Sequence, residues 1–129
     1  VRERNHQYPS TPSLPHMFAL DFQLDRILAE GLDNRFARHA AMAQRVRAWA
    51  REHFALYSNE RYLSNTVTCV DNTRKLPFAT LSAGLAERGY EISDGYAALK
   101  GRTFRIAHMA DATLPEIEGL LDAIDDLVG

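Results

Sequence analysis

The sequence predicts an α/β fold: a small open sheet of three to four strands with helices on one face, preceded by two long helices. Three observations carry that prediction. Two long stretches near the start repeat apolar residues every three or four positions. The segments 66–70 and 103–109 instead alternate, the period of a strand with two distinct faces. Helical periodicity then returns between and after those strands, so sheet and helices must share one core.

The first eight residues after Gln7 hold Pro9, Pro12 and Pro15, which makes Tyr8 to Pro15 stiff and extended up to the first helix. Ser13, with Pro15 just inside the helix, is a good start signal. Tyr8 and Thr11 lie too far upstream to cap anything, and local structure leaves their hydroxyls without a task. The first helix is expected over residues 14–30. Met17, Leu20, Leu24, Ile27 and Leu28 share a face, and Phe18 and Phe22 widen the band. A helix apolar over so much of its circumference is usually buried between layers or subunits. Gly31 ends or kinks it.

The second helix should run over 33–54, with Phe36, Ala40, Ala43, Val46, Ala50 and Phe54 inward and Trp49 beside them. Arg35, Arg38, Arg45, Arg47 and Arg51 line the rest. Without aromatic interleaving, and with Glu52 among them, they read as a solvated face rather than a nucleic-acid surface. His39 and His53 have no partner at metal-ligand spacing. Residues 57–65 read as loop, and Thr66 to Val70 as a β-branched strand in which Cys69 is a buried filler. Pro77 opens a helix over 78–88 that Gly89 stops. Tyr90 to Ser93 is a short strand, and Asp94-Gly95-Tyr96 turns the chain. The last helix starts at a Thr113-x-x-Glu116 capping box. It presents Leu114, Ile117, Leu120, Leu121, Ile124 and Leu127 to the core. Asp122, Asp125 and Asp126 oppose its dipole, which predicts an exposed, fraying end.

The strand at 103–109 carries the most telling side chain. If Phe104 and Ile106 pack inward, Arg105 stands on the opposite face, a two-pronged receptor for a carboxylate or phosphate. Spacing alone favours a plainer account, in which Arg105 pairs with an acid on a neighbouring helix.

The totals narrow the classes of function. The chain has 129 residues, 46% hydrophobic and 25% charged, which fits one ordinary folded domain with its own core. A net charge of −2 with interspersed signs makes no case for nucleic acid. One cysteine rules out an internal disulfide framework and suits a reducing compartment. No apolar run reaches the ~20 residues of a membrane span, and no signal-peptide pattern opens the chain. The expectation is a soluble, cytoplasmic protein without membrane contact. The polar run from Val1 to Gln7, with no initial methionine, reads more like the middle of a longer chain than a beginning. There is no nucleophile elbow, no glycine-rich phosphate loop and no metal motif. Lys75 and Lys100 sit in exposed-looking contexts, and neither resembles a desolvated catalytic amine.

The run Gly95-Tyr96-x-x-Leu99-Lys100-Gly101-x-Thr103-Phe104-Arg105-Ile106-x-His108-Met109 resembles the C-terminal part of class V pyridoxal-phosphate aminotransferases, the alanine–glyoxylate and serine–pyruvate group. Tyr8-x-x-Thr11-Pro12-Ser13, Phe18-Ala19-Leu20, Glu30-Gly31-Leu32-Asp33-Asn34 and Arg38-His39 are similar to that family in the same order. The resemblance covers nearly the whole chain. It implies residues 1–31 as the end of a large cofactor domain and 32–129 as the small domain of a fold-type I enzyme. It implies that Arg105 grips the carboxylate of an amino acid or 2-oxo acid. It implies that Tyr8 and Thr11 reach the phosphate of pyridoxal 5'-phosphate in the neighbouring subunit of a homodimer, and that His108 is structural. Many relatives have glycines where this chain has Ala107 and Ala110, which puts the substrate in doubt. The family's cofactor-anchoring lysine and the partner of its pyridine nitrogen would precede Tyr8. The expectation is therefore the C-terminal part of an aminotransferase, inactive alone. A stand-alone amino-acid sensor and a purely structural dimerisation domain are the alternatives.

Overall fold

In the computed structural model, residues 10–129 are described, so Tyr8 lies outside the described residues. The chain divides into two compact units, the first ending at Arg35 and the second formed by Phe36–Gly129.

In the first unit, α1 spans Leu14–Glu30 and α2 (Leu32–His53) begins after a single residue, Gly31, at φ 83°. That angle lies in the left-handed region, where a residue without Cβ is at ease. Ser13 occupies the N-cap position, but its hydroxyl meets the His16 Nδ1 at 2.7 Å rather than a backbone N–H of the helix. Arg35 and Glu30 form an ion pair at 2.7 Å. No residue of α1 is buried. Its broad apolar band is as the spacing predicts, yet its large side chains stand in the open.

The second unit takes in α2 from Phe36 onward. It then runs through β1 (Ala55–Leu56), β2 (Val67–Asp71), α3 (Phe78–Glu87), β3 (Ser93–Asp94), β4 (Thr103–Ala107) and α4 (Leu114–Val128). The four strands pair in the order β1-β2-β4-β3, every neighbour antiparallel. The α/β reading holds, with helices on one face. β2 and β4 end one or two residues away from expectation, and two other strands differ more. β1 is an edge strand of two residues between the expected end of the second helix and the expected loop, too short for any alternation to declare it. β3 sits at Ser93–Asp94 rather than 90–93, because buried Ile92 is drawn into the core ahead of the strand.

The core forms between the inner sheet face and α2, α3 and α4. Val70, Phe104 and Ile106 from the sheet meet Met42, Val46, Trp49, Leu85, Leu121 and Ile124 from the helices. Each such fully buried side chain contributes roughly 1.5–3 kcal/mol. Phe54 meets Phe104 edge-on at 5.4 Å, a favoured aromatic geometry. Phe36, expected inward, is 62% exposed, and Met42 takes the core position instead.

α4 opens as predicted. The Thr113 hydroxyl and its N–H both donate to Glu116 Oε2 at 2.8 Å, and these bonds, the hydroxyl's first, hold the Glu116 carboxyl below its ordinary range. Its far end stays helical to Val128, with Asp122 and Asp126 exposed there as expected. Asp125 Oδ1 accepts the Trp49 indole N–H at 2.8 Å, so the aspartate that opposes the dipole satisfies a buried donor instead.

Candidate functional site

β4 builds the site by alternation. Phe104 and Ile106 are buried on the helix side, so Arg105 emerges on the open side of the sheet. Its neighbours come from three segments. Cys69 of β2 is its cross-strand partner and Ser93 of β3 its partner on the other side. Cys69 is therefore not a buried filler: β2 buries Thr68 and Val70, and the same alternation turns Cys69 half-exposed beside the arginine. A hollow of about 120 Å³ opens there, with Arg105, Arg47, Cys69, Tyr62 and Ser64 on its walls.

No helix acid pairs with Arg105 among the described residues. Its Nε–H and one Nη2–H donate to the Asp94 carbonyl oxygen at 3.2 and 3.0 Å. The guanidinium carbon lies 4.0 Å from the centre of the Tyr96 ring. The plainer account from spacing is thus replaced by a backbone carbonyl and an aromatic face. A guanidinium has five N–H donors. Among the described residues both N–H groups on Nη1 and one on Nη2 have no protein acceptor, and these form the fork that matches a carboxylate.

Behind the site, His108 is fully buried. Its Nδ1 lies 3.1 Å from the Asn65 carbonyl oxygen and its Nε2 2.9 Å from Thr68 Oγ1. A carbonyl only accepts, so Nδ1 carries the proton. In the neutral ring Nε2 then accepts from the threonine hydroxyl. Burial, with Arg47 and His39 as nearby positive charges, lowers the His108 pKa below its usual 6.5, against the opposing pull of the Asn65 carbonyl. This is a structural histidine that ties the end of β4 to the segment before β2.

Of the two positions where the resemblance leads one to expect glycine, Ala107 is exposed at the end of β4. Ala110 holds φ 56°, a left-handed conformation that favours glycine. Its carbonyl accepts from Arg38 Nη2 at 3.1 Å and lies 3.2 Å from His39 Nε2, so the strained turn is tied to α2.

The remaining predicted positions are placed separately. Thr11 belongs to the first unit, exposed on the non-helical segment before α1. Lys75 and Lys100 are exposed. No group of histidine, cysteine and acidic side chains among the described residues could hold a metal ion, and no helix there is long and apolar enough to cross a membrane. The two groups that sequence reasoning did not assign to the site are the Asp94 carbonyl and Tyr96. Tyr96 stands in the run that carries the family resemblance, but as a turn residue its partner was not legible.

No family model matches the chain. Individual proteins do. An uncharacterized aminotransferase of Methanocaldococcus jannaschii is 32% identical over 126 residues, covering 95% of this chain and 32% of that protein. The serine–glyoxylate aminotransferase of Arabidopsis thaliana is 31% identical over 124 residues, covering 92% of this chain and 30% of its own length. The crystal structure of pyridoxamine–pyruvate aminotransferase from Mesorhizobium loti superposes with a TM-score of 0.85 at 26% identity, over 96% of this chain and 33% of that one. The chain thus spans about a third of the length of the curated relatives it matches.

An open antiparallel sheet with helices on one face is the fold this chain shares with the pyridoxamine–pyruvate aminotransferase over the matched third of that protein's length. The homologues that the chain matches are class V-type aminotransferases.

Proposed function

We propose that this chain is the C-terminal part of a pyridoxal-phosphate-dependent aminotransferase that moves an amino group between an amino acid and a 2-oxo acid such as glyoxylate or pyruvate. The observation that carries the reading is the Arg105 fork, held on a strand at the open face of the sheet with three N–H donors that no acceptor among the described residues takes. The relatives named for serine–glyoxylate and pyridoxamine–pyruvate exchange support it, since glyoxylate and pyruvate each present one carboxylate to such a fork.

Arg105 binds that carboxylate through paired charge-assisted hydrogen bonds and so fixes the orientation of the α-carbon. The cofactor, when bound, supplies the electron sink for the reaction. The described residues fit only its phosphate edge. The Thr11 hydroxyl is exposed on a proline-stiffened segment, and Tyr8 and Thr11 would donate to the phosphate across a homodimer interface. Lys75 and Lys100 lie at exposed turn positions, neither beside Arg105 in its hydrogen bonds nor in the hollow. The amine that anchors the cofactor would therefore come from the rest of a longer protein, and this chain alone has no catalytic set. The apolar face of α1 would be covered in that larger assembly.

The intact mass of the natural gene product tests the fragment reading, with about three times this chain expected from the span of its relatives. In that protein Arg105→Ala should raise KM for both amino and oxo acid by roughly ten- to a hundred-fold, the worth of hydrogen bonds to a charged group, with the cofactor still bound. Unchanged KM would remove Arg105 from the site. A mass near that of this chain, with an amino acid bound by it alone, would instead favour a non-catalytic sensor.

A further inference from the structure

Arg105 is not merely exposed on the sheet; it is held on one edge and on one face. We propose that Asp94 and Tyr96 are positioning residues that together set the plane of the Arg105 guanidinium, so that a carboxylate can meet it only along its Nη1–Nη2 edge. The carboxylate in this statement rests on the function proposed above; the cradle itself does not.

The edge is fixed by Asp94 twice over. Its carbonyl oxygen takes the Nε–H and one Nη2–H, the side-on pair of the guanidinium. That oxygen can serve only if the loop carrying it is still, and the Asp94 side chain stills it. Asp94 Oδ1 accepts the backbone N–H of Gly95 and of Gly101, both at 2.7 Å, closing the loop between β3 and β4 on one carboxylate. Such bonds to an ionised acceptor are among the stronger ones. The loop is also drawn tight at Gly95, where a Cβ would run into the Leu99 carbonyl oxygen. The residue that follows Gly95 is Tyr96.

The face is fixed by Tyr96. Its ring lies 4.0 Å from the guanidinium carbon, well inside cation–π range. Yet Tyr96 is 73% exposed and takes no part in the core. A large aromatic side chain left in solvent has no folding reason to sit there, and its one described ring contact is the cation of the site. With one edge and one face occupied, the guanidinium offers its in-plane fork, the geometry a carboxylate binds in two-pronged fashion.

The test reads the cradle in the 129-residue chain and pyruvate protection in the longer protein proposed above. Two readouts report on Arg105 directly: the NMR shift of its Nε–H and δ-methylene, which the Tyr96 ring current displaces, and its rate of modification by phenylglyoxal with and without pyruvate. In Tyr96→Leu the displaced shift should vanish. Modification should quicken about two- to five-fold and pyruvate protection weaken by the same factor, the equivalent of an exposed cation–π contact. Tyr96→Phe should restore all three, because the ring and not the hydroxyl faces the cation. Asp94→Ala should broaden the Arg105 Nε–H signal by releasing the loop, while Asp94→Asn, which keeps an acceptor oxygen, should largely preserve it. The proposal is overturned if Tyr96→Leu leaves shift and modification rate as in the parent, or if Tyr96→Phe is as impaired as Tyr96→Leu. If the ring-current signature behaves as expected but pyruvate protects Arg105 in no version of the longer protein, the cradle stands and the carboxylate reading of the site falls.

Discussion

α1 and α4 carry the same kind of apolar stripe and meet opposite fates in this chain. α4 buries Ile117, Leu120, Leu121 and Ile124, while α1 buries nothing and leaves Phe18, Phe22 and Leu28 between 66% and 71% exposed. An apolar stripe states that a helix needs a partner surface; it does not state that the chain supplies one. α4 finds the sheet and α3 within its own unit. α1 has no such partner among the described residues, and the larger assembly proposed above would supply one.

Two substitutions bear on this contrast. The largest effect belongs to Leu121→Ala, fully buried in α4, which should cost about 2–5 kcal/mol in urea unfolding of the chain. Phe22→Ser in α1 removes more surface from a side chain 66% exposed, and should cost under about 0.5 kcal/mol. Comparable losses from the two would break the comparison.

An intermediate effect concerns pH and the second unit alone. His108 has a lowered pKa in the folded state, so the unfolded chain takes up the proton first. The stability that neutral His108 contributes is therefore complete above about pH 6.5, the unfolded value. It should be lost progressively as the pH falls below that toward the lower folded value. Urea midpoints measured between pH 7.5 and 5 should decline on this account, and His108→Gln should flatten the decline. An equal slope in both proteins would assign it to other groups.

A last effect sharpens the site's own geometry. Ala110 pays the left-handed cost of a residue with a Cβ, and Ala110→Gly should raise stability by roughly 0.5–1 kcal/mol, read as a higher urea midpoint. A loss instead would mean that the alanine methyl makes contacts worth more than the strain.

Much of the fold was legible because it follows from periodicity. The alternation of Phe104, Arg105 and Ile106 assigns one face to the core and the other to the site, and the structure agrees. The Thr113–Glu116 pair announces a helix start through a local bond that needs no distant partner. Cys69 was misread for the opposite reason. A half-apolar residue in a β-branched strand fits either face, and its face is settled only by its pairing with Arg105. Asp125 was misread because a dipole argument weighs only its own helix, while Trp49 on α2 decided the matter. β1 was invisible, since two residues carry no pattern.

By itself the sequence determined the α/β class, the run of elements from α1 through α4 apart from β1, the outward face of Arg105 and the kinship that its motifs carry. Those properties rest on spacing along one chain, and spacing is what a sequence records. The tertiary structure alone decided the strand order, the carbonyl and ring that hold Arg105, the neutral state of buried His108 and the bareness of α1. Each of those depends on a backbone oxygen, a distant side chain or a solvent boundary, and none of these has a position until the chain has folded.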